Sequence, residues 1–153
     1  MKTKAWLILV IWLAICQLPS ILGVQFVYTN MVWYNTLLHP HWTPPGVVFG
    51  MVWAVLYVLL GISAFLAFRE KLYRDAMMLF VGQLALNACW TPLFFGAHSL
   101  TGGLILIVAM LAEFIFLLRA FGKINTASAW LLVPYGAWLL FATYLTAGMW
   151  GMN

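Results

Sequence analysis

GVVFGMVWAVLYVLLGISAFLAF, Gly46–Phe68, runs from end to end without one charged residue. About 20 apolar residues coiled as an α-helix cross about 30 Å of hydrocarbon, so a stretch of this kind reads as a membrane span. The neighbouring sequence repeats the pattern. Working outward, Ala5–Tyr28 precedes it, and Ala76–Phe95, Thr101–Phe121 and Ala127–Trp150 follow, separated by short connectors. Lipid offers no partner to bare backbone groups, so each span is expected to be helical. Composition agrees: 66% of the 153 residues are hydrophobic and 7% charged, against about 25% charged in soluble domains. The mean hydropathy is +1.03. The expected fold is an all-α integral membrane protein, one bundle of five transmembrane helices filling residues 1–153 as a single domain.

The charges test the count. Lys2 and Lys4 precede the first span, Arg69, Lys71 and Arg74 lie between the second and third, and Arg119 and Lys123 between the fourth and fifth. Five spans put all seven Lys and Arg on one side, which is the positive-inside pattern. The amino terminus is therefore expected in the cytoplasm and the carboxyl terminus outside, in a bacterial cell membrane. The net charge of +4 follows from this sorting and does not point to nucleic acid. The start, MKTKAWLILVIWLAIC, has the look of a secretory signal. However, Ile15 stands where a small residue should precede the cysteine, and the apolar run continues to Val27. A retained helix is expected. Cys16 and Cys89 lie inside spans as small packing residues, with no disulfide framework.

Steps of three and four residues mark the inward stripes. Gly46, Gly50, Trp53, Tyr57 and Gly61 share one face of the second span. That face reads either as close helix packing through small residues or as a concave surface for a flat ligand. Gln83, Asn87 and Trp90 share a face of the third span, and Pro92 after them should bend it. Two amides in a membrane helix require partners, either another helix or a ligand. Tyr135, Trp138 and Ala142 line the fifth span beside Pro134. Of nine tryptophans, Trp6, Trp130 and Trp150 stand near span ends, where indole favours the lipid–water boundary. Trp53 and Trp138 lie deeper, on stripes shared with small or polar residues. Trp12 is deep as well, without a companion stripe.

Glu113 sits near the middle of the fourth span, where an ionised carboxylate costs about 3 kcal/mol. The nearest cation on its own helix, Arg119, falls on another face. A neutral acid bonded to a neighbouring helix is one reading, and a proton relay or ligand contact the other. His39, His41 and His98 all fall in outside connectors and supply no clear metal-ligand set, so no metal site is expected. No Ser–His–Asp set, phosphate-binding glycine loop or paired carboxylates occur, which excludes conventional hydrolytic chemistry.

Three ordered motifs carry a family resemblance over essentially the whole chain. WYNTLLHPHWTPPG, Trp33–Gly46, leads into VFGMVWAVLYVLLG; then come QLALNACWTPLFFG and SAWLLVPYGAWLLFATYL. The sequence resembles the translocator protein family, which includes TspO, the tryptophan-rich sensory proteins and the peripheral-type benzodiazepine receptors. The resemblance implies five tilted helices, often paired as a homodimer, with a ligand cavity in each bundle and the first loop folded over its mouth. It implies a slot for porphyrins such as protoporphyrin IX and for synthetic isoquinoline and benzodiazepine ligands, with no obligatory cofactor. Carried over by motif, the ligand-binding residues are Trp33 and Tyr34 from the loop, Trp53 and Tyr57, Asn87 and Trp90, and Trp138 and Ala142.

Two functions follow from the resemblance. One is tetrapyrrole sensing, buffering or transport by a porphyrin-binding membrane protein. The other is enzyme-like, light- and oxygen-dependent degradation of protoporphyrin IX, with Trp53 and Trp138 as the catalytic pair. A more distant reading is a proton-coupled exporter using Glu113. Animal members place a Lys or Arg after a carboxyl-terminal Tyr as a cholesterol motif. Here Tyr144 is followed by LTAGMWGMN, so no cholesterol role is expected.

Overall fold

The computed structural model describes residues 2–69, 71 and 73–153, excepting the side chains of Lys2 and Thr3. Lys2, one of the seven expected cytoplasmic charges, thus has its side chain outside the described residues. Helix α1 spans Lys2–Thr29, a short α2 Met31–Tyr34, α3 Gly46–Phe68, α4 Arg74–Thr91, α5 Leu100–Ile124 and α6 Thr126–Met152. No strand occurs among the described residues. Five helices are long and apolar enough to cross a membrane, and α2 is not one of them. The chain is an all-α integral membrane protein with the expected five spans, the second with the expected ends and the other four extended by a few residues.

Packing closes the five long helices into a ring. In order round it, α1 packs on α3, α3 on α6, α6 on α5, α5 on α4, and α4 back on α1. The amino-terminal helix is a full member of the bundle, with Cys16 fully buried. Cys89, expected as a packing residue, is instead exposed. At the charged end Trp12 lies against Phe68 and Phe80 with ring centroids 5.5 and 5.6 Å apart, and Phe80 stacks on Phe121 at 5.6 Å. Ser63 Oγ on α3 donates to the Ser128 carbonyl of α6 at 2.8 Å, which ties these helices where both residues are fully buried. Lys71, Arg74, Arg119 and Lys123 line one hollow of about 710 Å³, so the cations the sequence assigns to one side do meet at one end.

The glycine stripe of α3 divides. At Gly61 an added Cβ would lie 3.0 Å from the Leu13 Cα, so this glycine lets α1 approach. At Gly46 and Gly50 it would meet nothing within 4 Å. Helix packing within the chain therefore accounts for Gly61 and not for the other two. Pro92 acts as expected, with more detail than the sequence gives. Proline cannot donate to the carbonyl four residues back, and the chain widens into a π-helical turn over Pro92–Gly96. There the Ala97 N–H donates to the Pro92 carbonyl at 2.9 Å.

Candidate functional site

Helical spacing on α3 puts Trp53 one turn before Tyr57, and their rings stack with centroids 5.5 Å apart at 27°. Trp138 on α6 meets Trp53 at 6.5 Å and 90°. The two indoles form a corner, one ring facing the edge of the other. They meet edge to face rather than standing parallel with a gap. Phe49 and Phe141 extend the corner, with centroids 5.5 and 5.4 Å from Trp138. Ala142, one turn after Trp138, is buried beside it and keeps the α6 surface low. The indole Nε1 of Trp138 is buried and has no hydrogen-bond partner. A buried donor left unpaired costs about 1–3 kcal/mol, so an acceptor brought by a ligand would be favoured there.

Behind the corner lies a polar cluster. Tyr57 Oη donates to Asn87 Oδ1 at 3.4 Å, while Asn87 Nδ2 donates to the Tyr135 oxygen at 2.6 Å and to the Gln83 carbonyl at 2.8 Å. Gln83 and Tyr135 are fully buried. The Gln83 amide fits in two ways. In one, Nε2 donates to Tyr135 at 2.6 Å. In the other, Oε1 accepts from the Tyr135 hydroxyl at 2.6 Å, and Nε2 donates to Glu113 Oε2 at 2.9 Å and the Met110 carbonyl at 3.2 Å. In this second orientation Glu113 has a partner on a neighbouring helix. The amides expected to bond either a helix or a ligand bond helices.

The loop between α1 and α3 covers one end of the bundle. Trp33 stacks on His98 at 4.3 Å and 9° and meets Phe94 at 5.8 Å. Tyr34 lies 5.3 Å from Phe95 and 4.7 Å from His39, and burial there pushes its phenol pKa up. Two anchors fix the loop to the end of α6. Asn153 Oδ1 accepts from the Leu38 N–H at 2.9 Å and its Nδ2 donates to the Leu38 carbonyl at 3.1 Å. Pro40 rests against Gly148, where an added Cβ would collide with the proline ring. His98 Nε2, 2.7 Å from Asn30 Oδ1, holds the start of the loop. Trp42 in this loop and His98 in the connector before α5 both take positive φ, 75° and 51°.

Trp90 joins the two parts, packing against both the main core and the smaller cluster under the loop. Its ring stacks on Phe94 at 4.7 Å and its Nε1 donates to the Gly103 carbonyl at 3.0 Å. Of the eight ligand-binding residues read from the sequence, Trp53, Tyr57, Asn87, Trp138 and Ala142 thus gather between α3, α4 and α6. Trp33 and Tyr34 sit under the loop, with Trp90 between the groups. Residues 12–151 match the model of the TspO/MBR family.

The chain belongs to the TspO/MBR family.

Similar proteins include the translocator protein of Homo sapiens, 34% identical over 143 residues that cover 90% of this chain and 85% of the human one. The tryptophan-rich sensory protein of Cereibacter sphaeroides is 31% identical over 140 residues, covering 92% and 87%. Protein CrtK of Rhodobacter capsulatus is 32% identical over 131 residues, covering 83% and 82%.

In this TspO/MBR member the sequence reading passed over Phe49, Phe94 and Phe141. Phe49 lies one turn before Trp53 and Phe141 three residues after Trp138, so the same periodicity that chose the tryptophans reaches both. Phe94 lies four residues after Trp90, so the stripe of Gln83, Asn87 and Trp90 reaches it too, and the two rings stack. Among the described residues no three His, Cys, Asp or Glu side chains gather to hold a metal ion.

Proposed function

We propose that this membrane protein binds a flat, hydrophobic tetrapyrrole, with protoporphyrin IX as the representative, at the aromatic corner of α3 and α6 beneath the loop, for sensing, buffering or transport. The observation that carries this reading is the meeting of Trp53, Tyr57 and Trp138 around a buried indole N–H without an acceptor. A porphyrin offers a broad π-face to the rings and carboxylates or carbonyl-like acceptors to the donor. The names of relatives, a translocator and a sensory protein, support handling of a small ligand. Synthetic benzodiazepine and isoquinoline ligands fit the same chemistry. The reading includes a homodimer in a bacterial cell membrane, amino terminus in the cytoplasm and carboxyl terminus outside.

A second reading, light- and oxygen-dependent degradation of the pigment, draws on the closeness of the two indoles. A porphyrin stacked on one lies within a ring's width of the other. The pigment would absorb the light and O₂ would be the oxidant, while the protein would orient the macrocycle. Titration of protoporphyrin IX into the purified protein, followed by tryptophan fluorescence and then by the pigment spectrum under illumination, separates them. Binding predicts saturable quenching, weakened roughly tenfold by Trp138→Phe through loss of about 1.4 kcal/mol. Degradation predicts a pigment product in light that disappears in Trp53→Phe and Trp138→Phe. Quenching no greater than that of an unrelated membrane protein rejects both.

A further inference from the structure

Glu113 is half-buried on α5, its carboxyl against Gly82 of α4. Space for it exists because residue 82 is glycine, where an added Cβ would collide with Oε1. α4 also brings Gln83, whose amide reaches Glu113 Oε2 at 2.9 Å. The titratable groups around this cluster are Tyr135 from α6, beside Glu113, and Tyr57 from α3 with Cys16 from α1 next to it. α4 contributes none here, and on α5 itself Arg119 lies on another face.

The Gln83 amide lies between Glu113 Oε2 at 2.9 Å and the Tyr135 oxygen at 2.6 Å, and which of its two atoms it turns to each follows from where the proton on Glu113 is. With the carboxylate ionised, Nε2 turns to it and Oε1 takes the Tyr135 hydroxyl hydrogen at 2.6 Å, so every donor has an acceptor. With the carboxyl protonated, its O–H donates to Gln83 Oε1, and Gln83 Nε2 turns to the Tyr135 oxygen at 2.6 Å. Tyr135 then accepts from both Gln83 and Asn87, and its own hydrogen has no acceptor left in the cluster. The difference is passed on by side chains alone. Tyr135 touches Asn87, Asn87 touches Tyr57, and Tyr57 stacks on Trp53 at the corner.

We propose that Glu113 is a proton-binding site linked through Gln83, Tyr135 and Asn87 to the ligand corner, so that ligand binding takes up a proton. The inference rests on the binding reading above. Two effects share one sign. Asn87 can pass the spare Tyr135 hydrogen outward, Oδ1 turning to Tyr135 and Nδ2 to the Tyr57 oxygen, which frees the Tyr57 hydroxyl for a ligand acceptor at the corner, and a ligand carboxylate near Tyr57 is repelled by an ionised Glu113. Linkage is reciprocal, so ligand affinity falls as rising pH ionises Glu113.

The experiment compares protoporphyrin IX affinity in the wild type and in Glu113→Gln across pH, with tryptophan quenching as readout. A carboxamide at this position donates to Gln83 Oε1 as the protonated acid does, so the variant mimics that state at every pH. The expected result is near-equal affinity at low pH and a wild type weaker by about threefold to tenfold at high pH, the size of a coupling of up to one pK unit. Titration of the ligand's own carboxylates is common to both proteins and cancels in the ratio. In weak buffer with a pH dye, ligand addition to the wild type takes up protons, and neither Glu113→Gln nor Gln83→Leu does so beyond the free-ligand signal. An affinity ratio constant with pH, or equal proton uptake in all three proteins, overturns the linkage while binding stands. Absence of saturable binding in every protein overturns the binding reading and the linkage with it.

Discussion

Tyr135 is fully buried on α6, and its oxygen lies 2.6 Å from Asn87 Nδ2 and 2.6 Å from the Gln83 amide. The surrounding residues are apolar or intramembrane, so no water replaces a lost partner. Removing the hydroxyl leaves two amides of α4 short of an acceptor or donor. Tyr135→Phe is expected to lower stability by about 1–2 kcal/mol, the upper part of the range for hydrogen bonds between membrane helices. Thermal denaturation in detergent checks this, with Thr143→Ala as control. Thr143 bonds only its own helix, the Leu139 carbonyl at 2.7 Å, and its loss should move the midpoint far less. The sequence identified Gln83, Asn87, Tyr135 and Glu113 one by one, since polar groups in apolar spans stand out. It did not say that they form one cluster, because their partners lie on different helices. Nor did it show that Trp90 would have its donor taken by Gly103, a carbonyl thirteen residues on.

At the scale of elements, small residues decide how closely helices approach, and α3 carries both outcomes. Gly61→Ala puts a methyl against the backbone of Leu13, which cannot move without shifting α1. Overpacking of this kind costs about 1–3 kcal/mol. Gly50→Ala meets open space and replaces a poor helix former by a good one, with a gain of up to about 1 kcal/mol. Thermal midpoints of the two variants in the same detergent should therefore move in opposite directions. A loss at both would mean that another surface covers Gly50. Spacing placed all these glycines on one stripe and could not separate them, because contact depends on where a second helix lies. The loop shows a similar limit. The resemblance carried by WYNTLLHPHWTPPG implied a loop folded over the mouth of the bundle. The short helix α2 and the clasp between Leu38 and Asn153 were not visible. The latter joins positions 115 apart in the chain, so no local pattern encodes it.

For the molecule as a whole, the proposed orientation rests on the distribution of charge across the five spans. A reporter that is active only after export, fused behind Asn153, should be active, and one fused into the Arg69–Arg74 connector should not. The reverse activities would reject the proposed topology. The same sorting gathers Lys71, Arg74, Arg119 and Lys123 at one end, while the aromatic loop closes the other. The polar cluster of Gln83, Asn87, Tyr135 and Glu113 lies between them, its side chains bonded largely to one another. In the proposed linkage, that closeness couples a proton at Glu113 to a ligand at Trp53.

By itself the sequence determined that five helices cross a membrane, which ends face the same side, and which polar and aromatic residues face inward. Those properties follow from the local energetics of each segment in lipid, and every segment reports them alone. The tertiary structure alone decided the ring order of the helices, the right-angled meeting of Trp53 and Trp138, the partner of Glu113 and the anchoring of the loop. Each of these depends on contacts between distant segments. Their free energy is set by the fit of two surfaces, and neither surface carries that fit in its own residues.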